Sequence, residues 1–205
     1  MDLLSWLSLA GICALGAMSP GPSLLIVLRN AASGWRQGLA CAIAHGAGVA
    51  IYATLTVFGL AVLIIRSELL FGILQWAGAA MLVYLGWKAL SGTAQGYRAV
   101  NLEANHQSLR RSIAQGFGVA FFNPKVAIFF TALFSQFVSE QQALATKLGM
   151  AALVSGVDAL WYCMIVLAVH ASRKRQLLSK LLGQRIQQLF GLLLIALAAR
   201  LLLSV

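Results

Sequence analysis

The chain has 205 residues, 60% hydrophobic and 10% charged, with a mean hydropathy of +0.86. A soluble domain carries about 45–50% apolar and about 25% charged residues, so these proportions exclude one, and at ~20 residues per membrane-spanning helix the length holds roughly six or seven spans with no second domain. Fifteen Lys and Arg against five Asp and Glu give a net charge of +10, but the basic residues stand at the ends of apolar runs, which reflects membrane orientation and argues against nucleic acid.

The first apolar run covers about 3–28. Asp2 stands where a secretory signal carries basic residues, so the run is expected to be retained despite the small-residue stretch Ala14-Leu15-Gly16. Within it, Ser19-Pro20-Gly21-Pro22 removes two backbone donors and inserts a flexible glycine, which breaks the helix. A broken helix at membrane depth lines a cavity or is buried in protein. Ser19, Pro20, Gly21, Pro22 and the adjoining Ser23 are therefore candidate substrate-binding residues, the plainer alternative being a kink that serves packing alone.

The second run, about 38–64, places Ala40, Ala44 and Gly48, and beside them Gly38, Ala42, Gly46 and Ala50, at four-residue spacing, which predicts close helix packing. His45 lies among them as a candidate for proton coupling, against the plainer reading of a hydrogen-bonded packing residue. The third run, about 69–91, ends in Tyr84-Leu85-Gly86-Trp87-Lys88; Trp87, with Trp6, Trp35 and Tyr97, reads as an interfacial anchor. Ser91 to Ser112 is the only long polar connection.

The fourth run, about 113–138, contains Asn123-Pro124-Lys125, in which a favoured N-cap precedes a favoured first helical residue, so a second half-helix begins there. A lysine at membrane depth costs about 2.5–3.5 kcal/mol on insertion scales; Lys125 either faces a cavity or a partner, or snorkels to the interface. In the fifth run, about 144–170, Asp158 is the one carboxylate placed centrally in an apolar run, and Trp161, one turn on, is placed to line its cavity. Such carboxylates mark proton relays, cation sites or ion pairs, and a substrate ammonium or Lys125 would each serve as partner. The sixth run, about 184–204, carries Arg200.

Cys13, Cys41 and Cys163 stand singly, without zinc-site spacing, and no metal cluster or cofactor motif is present. The absence of GxxxxGK[ST], HExxH and GxSxG argues against ATP hydrolysis and the familiar intramembrane hydrolases, and that of TVGYG against a potassium channel.

Eleven basic residues (Arg29, Arg36, Lys88, Arg98, Arg110, Arg111, Arg173, Lys174, Arg175, Lys180 and Arg185) lie beside the odd connections, and three (Arg66, Lys147 and Arg200) lie opposite. The odd connections are therefore expected in the cytoplasm and both termini outside. The expected fold is an all-α integral membrane protein of six transmembrane helices, with halves 1–91 and 113–205 joined by a cytoplasmic linker, 92–112. Three spans per half make related halves inverted repeats; Ser19-Pro20 matches Asn123-Pro124, and Gly48-Val49 matches Gly156-Val157. The half-helices starting at Pro22 and Pro124 would then point their partly positive N-termini at one another, a place suited to a carboxylate.

Taken together, Met18-Ser19-Pro20-Gly21-Pro22, Tyr84 to Lys88, Phe121-Phe122-Asn123-Pro124-Lys125, Asp158 with Trp161, and Arg200 resemble the LysE/RhtB family of amino-acid exporters, in particular its homoserine, threonine and leucine branch. The resemblance spans essentially the whole chain. It implies a secondary exporter in the bacterial cytoplasmic membrane, driven by the proton motive force, with amino acids and protons as partners, no cofactor, and a homo-oligomer left open. It departs at Ser23, where many relatives carry an acidic or amide residue. A cation or metal-ion permease, or a membrane enzyme using His45 and Asp158, are the alternative readings.

Overall fold

The computed structural model describes residues 1–19, 21–91, 107–171 and 184–203. Among these, all regular structure is helical: α1 Leu3–Met18, α2 Pro22–Ser33, α3 Trp35–Arg66, α4 Glu68–Leu90, α5 Leu109–Phe121, α6 Pro124–Phe134, α7 Leu144–Ala171 and α8 Gln184–Leu203. Pro20, Tyr97, Arg98, Arg173, Lys174, Arg175 and Lys180 lie outside the described residues, as does the side chain of Arg200.

The helix starts follow local chemistry. Asp2 accepts from the Ser5 amide at 2.9 Å to cap α1, Ser67 caps α4 and Ser108 caps α5. Asn123 accepts from the Lys125 amide at 3.0 Å, with Pro124 in the first turn of α6. Pro22 likewise opens α2, but Gly21 before it offers no side chain to cap the first turn.

Both expected breaks are present, with α1 and α2 bent by 63° and α5 and α6 by 49°. Residues Trp35–Val62 of α3 and Leu144–Ala171 of α7 are long and apolar enough to cross a membrane, and each bent pair passes the same test taken together.

Two of the boundaries that differ from the hydropathy reading have a local cause. Helix α2 runs to Ser33 rather than 28, because Asn30, wholly buried, donates from Nδ2 to the Ile26 carbonyl at 2.8 Å and to Gln115 Oε1 at 3.0 Å. Helix α5 starts at Leu109, inside the stretch assigned to the linker, since its exposed first turn of Arg110 and Arg111 looks polar although Ser108 caps it.

The outer surface is apolar, with Leu55, Trp76, Leu160 and Leu192 all more than half exposed. So much exposed hydrophobic surface is stable only against lipid. Inside, α3 lies backbone to backbone against α5 and α7. A Cβ on Gly46 would stand 2.7 Å from Ala159 Cβ, one on Gly48 would stand 2.9 Å from Ala120 Cβ and 3.0 Å from the Phe117 carbonyl, and one on Gly116 would collide with the Cys41 carbonyl. The small-residue faces read from the sequence are these contacts.

Candidate functional site

Four helical stripes converge where the bent helices meet the two long ones. Cys13, Gly16 and Ala17 come from α1, Val126, Phe129 and Phe130 from α6, and Val154, Asp158 and Tyr162 from α7, all at spacings of three or four residues. His45 and Val49 repeat that spacing on α3. The breaks add Ser19, Gly21, Pro22 and Ser23 from one bent pair and Asn123 and Lys125 from the other. Together they surround a cavity of about 50 Å³, room for roughly three to five waters.

One wall carries positive charge. The Lys125 ammonium donates to Ser19 Oγ at 2.6 Å, and Gly21 leaves it space, since a Cβ there would lie 3.6 Å from Nζ. Beside it, Asn123 Nδ2 donates to Ser23 Oγ at a long 3.5 Å. The first-turn amides of α2, which lack a capping side chain, open next to this lysine.

Another wall carries the carboxylate. Asp158 Oδ2 lies 2.7 Å from His45 Nδ1, and because a carboxylate only accepts, Nδ1–H is the donor. The His45 ring is 1% exposed, stands edge-on to Tyr162 with centroids 4.9 Å apart, and has its Nε2 buried with no hydrogen-bond partner among the described residues. Asp158 keeps a side-chain exposure of 12%, so its carboxylate still reaches the cavity. Histidine backing of this kind holds a carboxylate in place.

A larger concavity of about 530 Å³ lies between α4 and α6, lined by Gly78, Met81, Tyr84, Ile128 and Thr131 among others. Among the described residues its lining has no charged group, in contrast to that of the smaller cavity.

Of the residues singled out from the sequence, Ser19, Gly21, Pro22, Ser23, His45, Asn123, Lys125 and Asp158 line one cavity. Pro20 lies outside the described residues. Trp161 does not line the cavity; it packs against the apolar cluster that contains Leu24, Val27, Cys41 and Val166, and its neighbour Tyr162 lines the cavity instead. Asp158 pairs with His45, and Lys125, the sequence candidate for that role, reaches Ser19. Cys13, Gly16, Phe129, Phe130 and Tyr162 were not singled out, although four-residue spacing from Asp158 pointed to Tyr162.

The chain matches the LysE type translocator family over residues 14–205. It is 30% identical, over 186 residues, to the homoserine/homoserine lactone efflux proteins of Salmonella typhi and Salmonella typhimurium, an overlap of 88% of this chain and 85% of each of theirs. An uncharacterized membrane protein of Haemophilus influenzae is 32% identical over 126 residues, 58% of this chain and 59% of that one. No solved structure matches the chain. The family match takes in both proline breaks, the lysine wall and the carboxylate wall, and the chain belongs to the LysE type translocator family.

Proposed function

We propose that the protein is a secondary exporter of neutral amino acids such as homoserine, threonine or leucine, working across the bacterial cytoplasmic membrane on the proton motive force and carrying out no catalysis. The observation that carries this reading is one cavity holding two opposite poles, Lys125 on one wall and Asp158 with His45 on another. A zwitterion needs both. Its carboxylate meets Lys125 and the uncapped amides of α2, while its ammonium meets Asp158. A proton arriving at the Asp158–His45 pair removes the negative charge that holds the ammonium, so proton entry and substrate release are coupled at one carboxylate. A second positive charge on the substrate, as in lysine, would lack a partner beside Lys125.

The architecture that goes with this function is six spans in two inverted halves, 1–91 and 113–205, with both termini outside. It is supported by the two bent pairs, by the packing of α3 along α7 and α4 along α8, and by the partnering of α2 and α6 through Ser23 and Asn123.

The test uses liposomes containing only this protein and loaded with radiolabelled threonine or homoserine. An imposed proton gradient should accelerate loss of label, and a protonophore should abolish the acceleration. Faster lysine loss with unchanged threonine loss refutes the neutral preference. Flux that answers only to a metal ion, or chemical turnover without flux, replaces the exporter by a permease or an enzyme.

A further inference from the structure

Resting on that reading, we propose that Ser23 and Asn123 form a third recognition point, which reads a hydroxyl on the substrate side chain and so favours homoserine and threonine over aliphatic amino acids of the same shape. Once Lys125 and Asp158 hold the two charged ends, the side chain must meet what is left of the wall. That remainder is apolar at Val49, Val126, Phe129, Phe130 and Val154, and neutral polar at Ser19, Ser23, Asn123 and Tyr162, of which Ser19 is taken by Lys125 and Tyr162 stands against His45. Ser23 and Asn123 are each 8% exposed, and both line the cavity. Their mutual bond is 3.5 Å long, at the outer limit for a hydrogen bond.

Among the described residues this is the only hydrogen bond made by Ser23 Oγ or Asn123 Nδ2. Asn123 Oδ1 is occupied in capping α6, so the side-chain groups left to bind a ligand are the NH2 group and the serine hydroxyl. A substrate hydroxyl accepts from Asn123 and exchanges a hydrogen bond with Ser23, replacing one stretched bond by two of ordinary length. A methyl group in the same place leaves buried donors unmet, which is how a polar subsite rejects an isostere.

The experiment measures efflux of homoserine against norvaline, and of threonine against valine, from liposomes containing the intact protein. Wild type should favour the hydroxylated member by about tenfold or more. In Ser23→Ala the ratio should fall towards one, and in Ser23→Thr, which keeps the hydroxyl, it should survive. Asn123→Asp keeps the cap acceptor, removes the amide donors, and should also collapse the ratio. Thermal protection of the purified protein by each amino acid gives the same ratios if a variant transports too slowly to measure. Ratios unchanged in Ser23→Ala and Asn123→Asp overturn the proposal and leave the exporter standing, as does a wild type that moves both members of each pair equally. A wild type that moves none of the four amino acids sinks the exporter reading itself.

Discussion

Replacing His45 by alanine removes the partner of a buried carboxylate. Asp158 Oδ2 accepts from His45 Nδ1 at 2.7 Å, and the imidazole is 1% exposed, so its removal takes away the carboxylate's buried donor. Breaking a buried pair by deleting one member costs about 3–5 kcal/mol, which for a chain of this length is a fall of roughly 6–20 °C in the unfolding midpoint. Asp158→Asn retains an acceptor for Nδ1–H and loses only the charge assistance, about 1–2 kcal/mol. The double variant has no buried charge to strand, so His45→Ala/Asp158→Asn should be more stable than His45→Ala, with a coupling of about 1–3 kcal/mol. Cys13 and Cys41 are buried free thiols, so a thiol-reactive dye added to the protein in detergent reports unfolding without any label being introduced. A His45→Ala midpoint equal to wild type, or a double variant that loses the full sum of the two single losses, refutes the pairing. Transport should be severely reduced in Asp158→Asn even where the midpoint is nearly kept.

Lys125→Met keeps the length of the side chain but loses the ammonium that reaches Ser19; threonine efflux should fall by about 10–100-fold, as expected for one charge-assisted contact, with the membrane level of the protein measured by blot as control. Alanine at Gly48 would press on Ala120 and the Phe117 carbonyl, costing about 1–3 kcal/mol, whereas Gly156 has nothing within 4 Å of an added Cβ and Gly156→Ala should be neutral or stabilising by about 0.5–1 kcal/mol. Thermal midpoints of the two glycine variants separate these outcomes. A cytoplasm-active reporter inserted after Val100 should be active and one fused after Val205 silent, and the reverse pair would invert the orientation drawn from the basic residues.

What could be read from the chain beforehand was whatever neighbouring residues enforce. Asn123-Pro124 announces a helix start because cap and first turn are adjacent in sequence, and the glycine stripe announces close packing because its period is that of one helix. The Asp158–His45 pair joins residues 113 apart, and nothing local in either segment specifies it; an apolar run shows that a carboxylate needs a partner but not which helix supplies it. The same gap assigned Trp161 to the cavity, since one turn beyond Asp158 admits positions 161 and 162, and only the packing of α2 and α3 against α7 decides between them. Hydropathy ends the first apolar run too early because it scores the polar side chains of Arg29 and Asn30 and not the bond from Asn30 to Gln115.

The two helix starts that meet at the cavity are chemically unequal. Asn123 caps α6 with its own side chain, while α2 begins after a glycine and has no such cap. Two identical ends would have offered a zwitterion two equivalent ways to lie, head to tail or tail to head. Because only one end is bare, and the lysine stands beside it, the proposed exporter would have a fixed compass: a zwitterion would lie with its carboxylate towards the start of α2 and its ammonium towards Asp158.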